Sequence, residues 1–200
     1  WTAVPSDAFL IIETSDFPEL LTRATDRNGI ISMLSDMKWA AAVTDAAAAV
    51  DSITGGRDVR ELISNRKVLL SFHIIGQGPV TAMAVMNTGP SFSSRHLIKL
   101  CGQSGGSVSA TRELGGARTF EVAYGKGSTR SLVYMAMTSG IVIVSTSGTL
   151  VENAINNKEA GSDIRHQQGF TPVVAASGKE SDNLFILFRN LPRVLQSFVS

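Results

Sequence analysis

One cysteine, Cys101, is all that this 200-residue chain contains, so no disulfide can form within it and no multi-cysteine metal site can be built. Charge is also sparse. Charged residues make up 18% of the chain against about 25% in ordinary soluble domains, so the surface must rely on Ser, Thr, Asn and Gly. Eighteen basic and seventeen acidic residues leave a net charge of +1, and the arginines are scattered. Neither nucleic acid nor an anionic membrane is favoured by such a field. Long apolar runs are missing too. Val68 to Leu70 and Ile141 to Val144 fall far short of the ~20 residues that cross a bilayer. Three histidines, His73, His96 and His166, lie more than twenty residues apart and none is followed by a ligand-type residue at i+2 to i+4. The first residue is Trp1, which reads as a cut or processed end with any targeting segment or anchor outside the sequence.

Hydrophobic residues reach 44%, enough for one well-packed domain. Ala8 to Glu13 reads as a short strand. Asp16 then stands as a helix N-cap, with Pro18 in the first turn and Glu19 at capping-box spacing, and the helix is expected to run to about Thr25. Between Arg27 and Ile53 an alanine-dense stretch reads as two closely packed helices, and Asp58 opens a short one. "KVLLSFHIIGQGPVTAMAVMN" carries two apolar runs joined by Gly76 to Pro79, a hairpin signal. "SFSSRHLIKLCG" reads as an amphipathic helix ended by Gly102. Segments 107–113, 118–124, 130–138 and 141–146 read as a four-strand antiparallel meander with turns at "LGGAR", "GKGST" and "SG". Thr149 and Glu152 have the spacing to start the last full helix, and the polar stretch "KEAGSDIRHQQGFTP" reads as an exposed loop. Helices and antiparallel strands are segregated, so the expected class is α+β, a largely antiparallel sheet with helices packed against it.

The last twenty residues, "SDNLFILFRNLPRVLQSFVS", echo the first. Placing Pro192 on Pro18 sets Leu184 on Leu10, Ile186 on Ile12, Leu191 on Phe17 and Val194 on Leu20, an offset of 174 residues. Residues 1–180 are therefore expected to form one domain. Residues 181–200 either close it with a strand and a helix or start a second unit, with a strand at 184–188 and a helix from 191.

"VPSDAFLIIETSDFPELL" resembles the start of large bacterial proteins of unknown function that sit outside the cytoplasm behind an N-terminal membrane segment or lipid anchor. The resemblance covers this stretch and its echo. It implies an extracytoplasmic location in the cell envelope and a membrane-anchored parent, and it brings no activity and no site residues.

Catalytic patterns fail on their context. Gly102-Gln103-Ser104-Gly105-Gly106 fits G-x-S-x-G, and Asp163 and His166 follow in hydrolase order. A nucleophile elbow needs a strand before the serine and a helix after it, whereas the reading here is the reverse. "YGKGSTR" lacks P-loop spacing and reads as a hairpin turn, and "GQGPVT" lacks the rest of a dinucleotide fingerprint. His73, opposite in face to Phe72 and Ile74, is expected to be a partly exposed sheet residue. Phe120 and Tyr124 near Arg118, Lys126 and Arg130 make only a thin version of a nucleic-acid surface. No catalytic, cofactor-binding or metal residue is assigned. The expectation is a non-catalytic binding or structural module whose partner is a protein or small ligand of the envelope. The alternatives are a serine hydrolase using Ser104 and a domain that binds a small molecule or lipid between sheet and helices.

Overall fold

The computed structural model describes residues 1–20, 63–76, 80–124, 131–177 and 182–192. Its strands are β1 (Leu10–Asp16), β2 (Ser64–Ile74), β3 (Val80–Asn87), β4 (Ser107–Leu114), β5 (Ala117–Tyr124), β6 (Ser131–Thr138), β7 (Ile141–Ser145) and β8 (Asp182–Ile186). They form one eight-stranded sheet in the order β4-β5-β6-β7-β3-β2-β1-β8, and every neighbouring pair is antiparallel. Helices α1 (Ser94–Gln103), α2 (Gly148–Ala160) and α3 (Phe170–Ala176) pack on it. The class is α+β. The helices read between residues 21 and 62 lie outside the described residues, as do the turns at 77–79 and 125–130.

Alternation along the strands sorts side chains onto two faces. Ile11, Leu69, Met83, Val85, Ala136 and Ile143 point to one, where Leu150, Val151, Ala154 and Ile155 of α2 cover them. Phe120, Val122, Val133, Met135 and Val142 point to the other, under Leu97 and Cys101 of α1. Further along that second face, Leu10 and Phe72 pack with Phe9, and Phe17 packs with Ile63 and Val68. The sheet is thus the middle layer, with separate apolar clusters on its two sides.

Two joins in the sheet have no local signal in the sequence. β7 pairs with β3, placing Met83 opposite Ser145 and Asn87 opposite Ile141. β8 pairs with β1, placing Leu10 opposite Ile186 and Thr14 opposite Asp182. The first join is locked at its end. Gly140, at φ 75°, packs so closely on Gly89 that a Cβ would lie 2.7 Å from the Gly89 carbonyl group, and its own carbonyl accepts from Thr88 N–H at 2.7 Å and Thr88 Oγ1 at 2.9 Å.

Several local expectations need correction. Strand β1 runs two or more residues later than expected, because β2 pairs with it as far as Asp16 opposite Ser64. Asp16 does accept from Glu19 N–H at 3.1 Å, and residues 17–20 are helical. Helix α1 does not stop at Gly102 but runs to Gln103, with Ser104 as its cap and Gly105 turning the chain at φ 80°. The N-cap of α2 is Ser147, two residues before Thr149, since its side chain accepts from Leu150 N–H at 3.3 Å. The stretch expected as an exposed loop is mostly exposed, but it is not a loop throughout, and three of its residues reach the core. It completes α2, makes a 3₁₀ turn at Ile164–His166 and enters α3, and it buries Asp163, Ile164 and Phe170. Its few apolar residues are the ones that seat it, so its polar average misleads.

Candidate functional site

Ser104, Asp163 and His166 do not meet. Ser104 caps α1, whose Leu97 and Cys101 lie on one face of the sheet, while the Asp163 segment is anchored through Ile164 on the other. The Ser104 hydroxyl donates to Leu100 carbonyl at 3.0 Å, the ordinary bond of a helix end. Asp163 is fully buried and taken up structurally: Oδ1 accepts from Arg165 N–H at 3.0 Å and from Nε at 2.7 Å, and Oδ2 accepts from Arg165 Nη2 at 2.7 Å. Burial pushes its carboxyl up, but the Arg165 side-chain and backbone bonds outweigh this and hold it below the ordinary carboxylate range.

An unforeseen polar chain lies under β2. His73 is fully buried, not partly exposed, with Nδ1 2.9 Å from Asp7 Oδ1 and Nε2 2.9 Å from Ser71 Oγ. The tautomer with the proton on Nδ1 satisfies all three groups, since the ring then donates to the carboxylate and accepts from the hydroxyl. These are the residue types of a nucleophile, base and orienting acid. Chemistry is blocked, however, because Ser71 and His73 are both 0% exposed and no substrate could reach the hydroxyl. The chain's use is to bury two polar side chains beside the core without leaving one unpaired. Ser71 and His73 sit two apart on one face of the apolar half of β2, Val68 to Ile74, but that spacing does not name Asp7 as their partner. Glu13 belongs to the same face, paired with Lys67 Nζ at 2.8 Å and with Asn183 Nδ2 at 3.0 Å.

On the opposite face Cys101 is buried, its Sγ 3.7 Å from Met135 Sδ, and burial pushes its thiol up, away from the reactive thiolate. Phe120 and Tyr124 are both buried there, so neither presents a ring for stacking on a base. A shallow open depression lined by Arg112, Glu121, Tyr134, Gly148 and Glu152 lies at the start of α2, with Arg112 and Glu121 already paired at 3.2 Å. Among the described residues no three His, Cys, Asp or Glu side chains converge as metal ligands.

The feature that stands apart is the outer edge of β8. Leu187 N–H donates to Phe9 carbonyl at 2.9 Å, so odd-numbered residues of this segment turn their main chain toward β1. By the alternation of an antiparallel ladder, Leu184 and Ile186 turn theirs outward. Among the described residues no strand pairs with that edge. The outward positions carry exposed apolar side chains: Leu184 is 57% exposed, Ile186 47% and Phe188, just past the strand, 76%. Phe185 between them is buried against Trp1 and Phe170, with ring centroids 5.4 and 6.0 Å away. The strand is therefore firmly seated by one face and one edge, while its other edge is open and apolar.

Comparison with protein-family models, with curated proteins and with solved structures gives no match.

Proposed function

We propose that this chain is a non-catalytic structural or binding module of the bacterial cell envelope, outside the cytoplasm, that engages its partner by strand addition along β8. The open apolar edge at Leu184 and Ile186 carries this reading, because main-chain groups supply affinity and alternate side chains supply selectivity in such contacts. The extracytoplasmic location is supported by the resemblance of "VPSDAFLIIETSDFPELL" to anchored envelope proteins. The class of partner that fits is a protein segment in extended conformation.

The hydrolase alternative is tested directly. Incubation with a fluorophosphonate probe is expected to leave Ser104 unlabelled; covalent labelling that disappears in Ser104→Ala would replace this reading with an enzyme. Location is tested by protease treatment of intact cells and of spheroplasts producing the parent protein. Resistance in both, with digestion only after lysis, would place the module in the cytoplasm and refute that part of the proposal.

A further inference from the structure

The partner of the β8 edge can be narrowed by comparing β8 with β1. The offset of 174 residues sets Leu184 on Leu10, Phe185 on Ile11 and Ile186 on Ile12. The two strands pair antiparallel with Ile11 opposite Phe185, so a local two-fold axis passes through that pair and exchanges the two copies. The register keeps equivalent residues on the same face. Ile11 and Phe185 are both buried on the α2 side, while Leu10 and Leu184 both point to the other. A register shifted by one residue would have put every equivalent pair on opposite faces. The likeness extends past the strands, since the helix begins at Phe17 in the first copy and at the equivalent Leu191 in the second.

The two copies differ where β1 has a second neighbour and β8 has none. Leu10, Ile12 and Thr14 face Phe72, Leu70 and Val68 of β2. Their equivalents are Leu184, Ile186 and Phe188, the three exposed apolar residues of the β8 segment. β1 continues to Asp16 along β2, whereas β8 ends at Ile186, the equivalent of Ile12. What β8 lacks is therefore what β2 gives β1.

We infer that β8 and the helix after it are the first strand and helix of a second unit of this fold, and that the outer edge of β8 receives that unit's own β2-like strand. That strand places three apolar side chains, at alternate positions, against Leu184, Ile186 and Phe188. The two units then share one sheet across the β1–β8 pair. This rests on the reading of β8 as an addition edge and names what adds to it.

The test extends the full 200-residue chain by its own residues 27–180, appended directly after Ser200, so that β8 and its helix are followed by the rest of a unit at the native spacing. Amide exchange is followed by NMR or mass spectrometry. Exchange at Leu184 and Ile186 is expected to slow by about 100-fold or more relative to the 200-residue chain, since these amides move from an open edge into a ladder. Leu184→Lys with Ile186→Lys should abolish that slowing while β2 and β3 of the first unit keep theirs. Unchanged exchange at these two amides would overturn the inference. Sedimentation of the 200-residue chain separates this failure from that of the parent reading. If extension changes nothing because the 200-residue chain already dimerises with these amides slowed, and the lysine pair abolishes both the dimer and the slowing, strand addition stands and its partner is a second copy of the chain. A monomer with open amides in both chains refutes the second-unit inference and confines strand addition to a segment of another protein.

Discussion

At one end of the sheet, β4 carries Arg112 and Glu113 on a strand whose register breaks between Val108 and Ala110, and Ser109 bonds back to Glu121 carbonyl at 3.1 Å. At the other end, β8 pairs with β1 without a break and turns Leu184 and Ile186 outward. Charge and bulging are the devices by which natural sheets keep an edge from recruiting a stranger. The β4 edge has both, whereas β8 has no break in register and carries one charge, Asp182 at its start, which accepts from Thr14 Oγ1 at 2.6 Å. A chain whose surface is only modestly charged has placed two ion pairs, Arg112 with Glu121 and Arg118 with Glu113, at the β4 end. This contrast is what the proposal of strand addition at β8 rests on.

The largest effect that could break this contrast lies inside β8. Phe185→Ala removes a buried ring from the Trp1–Phe170–Phe185 cluster and should cost about 3–5 kcal/mol in denaturant unfolding. Leu184→Ala in the same chain should stay within about 0.5 kcal/mol, as for an open surface position. Comparable losses at both would mean that the outer edge is covered after all.

A smaller effect, about 1–3 kcal/mol, is expected when Asp163→Ala strips Arg165 of its partner in the layer that carries Phe170. Its pH dependence has a defined sign. The folded carboxyl titrates lower than the unfolded one, so its stabilisation is fully present above the ordinary aspartate value of about 4 and fades as the pH falls below it. Urea midpoints measured from pH 6 down to pH 3 should therefore fall more steeply for the parent chain than for Asp163→Ala; parallel curves would refute this.

The smallest effect on stability, but the sharpest for the contrast, comes from exchanging the two edges' chemistry. Arg112→Val with Glu113→Val should change unfolding by under about 1 kcal/mol and yet introduce self-association detectable by sedimentation. If this pair leaves the chain unaffected, charge is not what guards the β4 end.

Much of the fold was legible in the sequence because it is local. Apolar runs between turn signals placed the described strands to within a few residues, and capping residues and glycine did the same for the ends of α1 and α2, while α3 was not read. The failures trace to burial, which no local pattern reports. His73 looked like a surface residue because its partners, Asp7 and Ser71, become partners only when the N-terminal segment folds over β2. The stretch from Lys158 to Pro172 looked solvated because its anchors, Ile164 and Phe170, are outnumbered by polar neighbours. Of the proposed edge, the apolar run was visible, but the strand lies at Asp182–Ile186 and not at 184–188, because the chain turns after Leu187, whose carbonyl accepts from Asn190 N–H at 2.9 Å, and the exposure of alternate members was not foreseen. That depended on a pairing between strands some 170 residues apart.

The β1–β8 pairing also sets an order of events. β2 with β3, and β4 through β7 in succession, can zip from nearby residues, and β7 then finds β3. Strand β8 has to close nearly the whole length of the chain to reach β1, so it is expected to dock last and to be the first strand lost on unfolding. During synthesis on a ribosome, β1 must therefore wait for most of the chain to emerge with one of its own edges bare. Pulse-labelled exchange during refolding should find Ile11 and Glu13 protected later than Met83 and Val85. The first strand of this sheet is in this sense finished by its last.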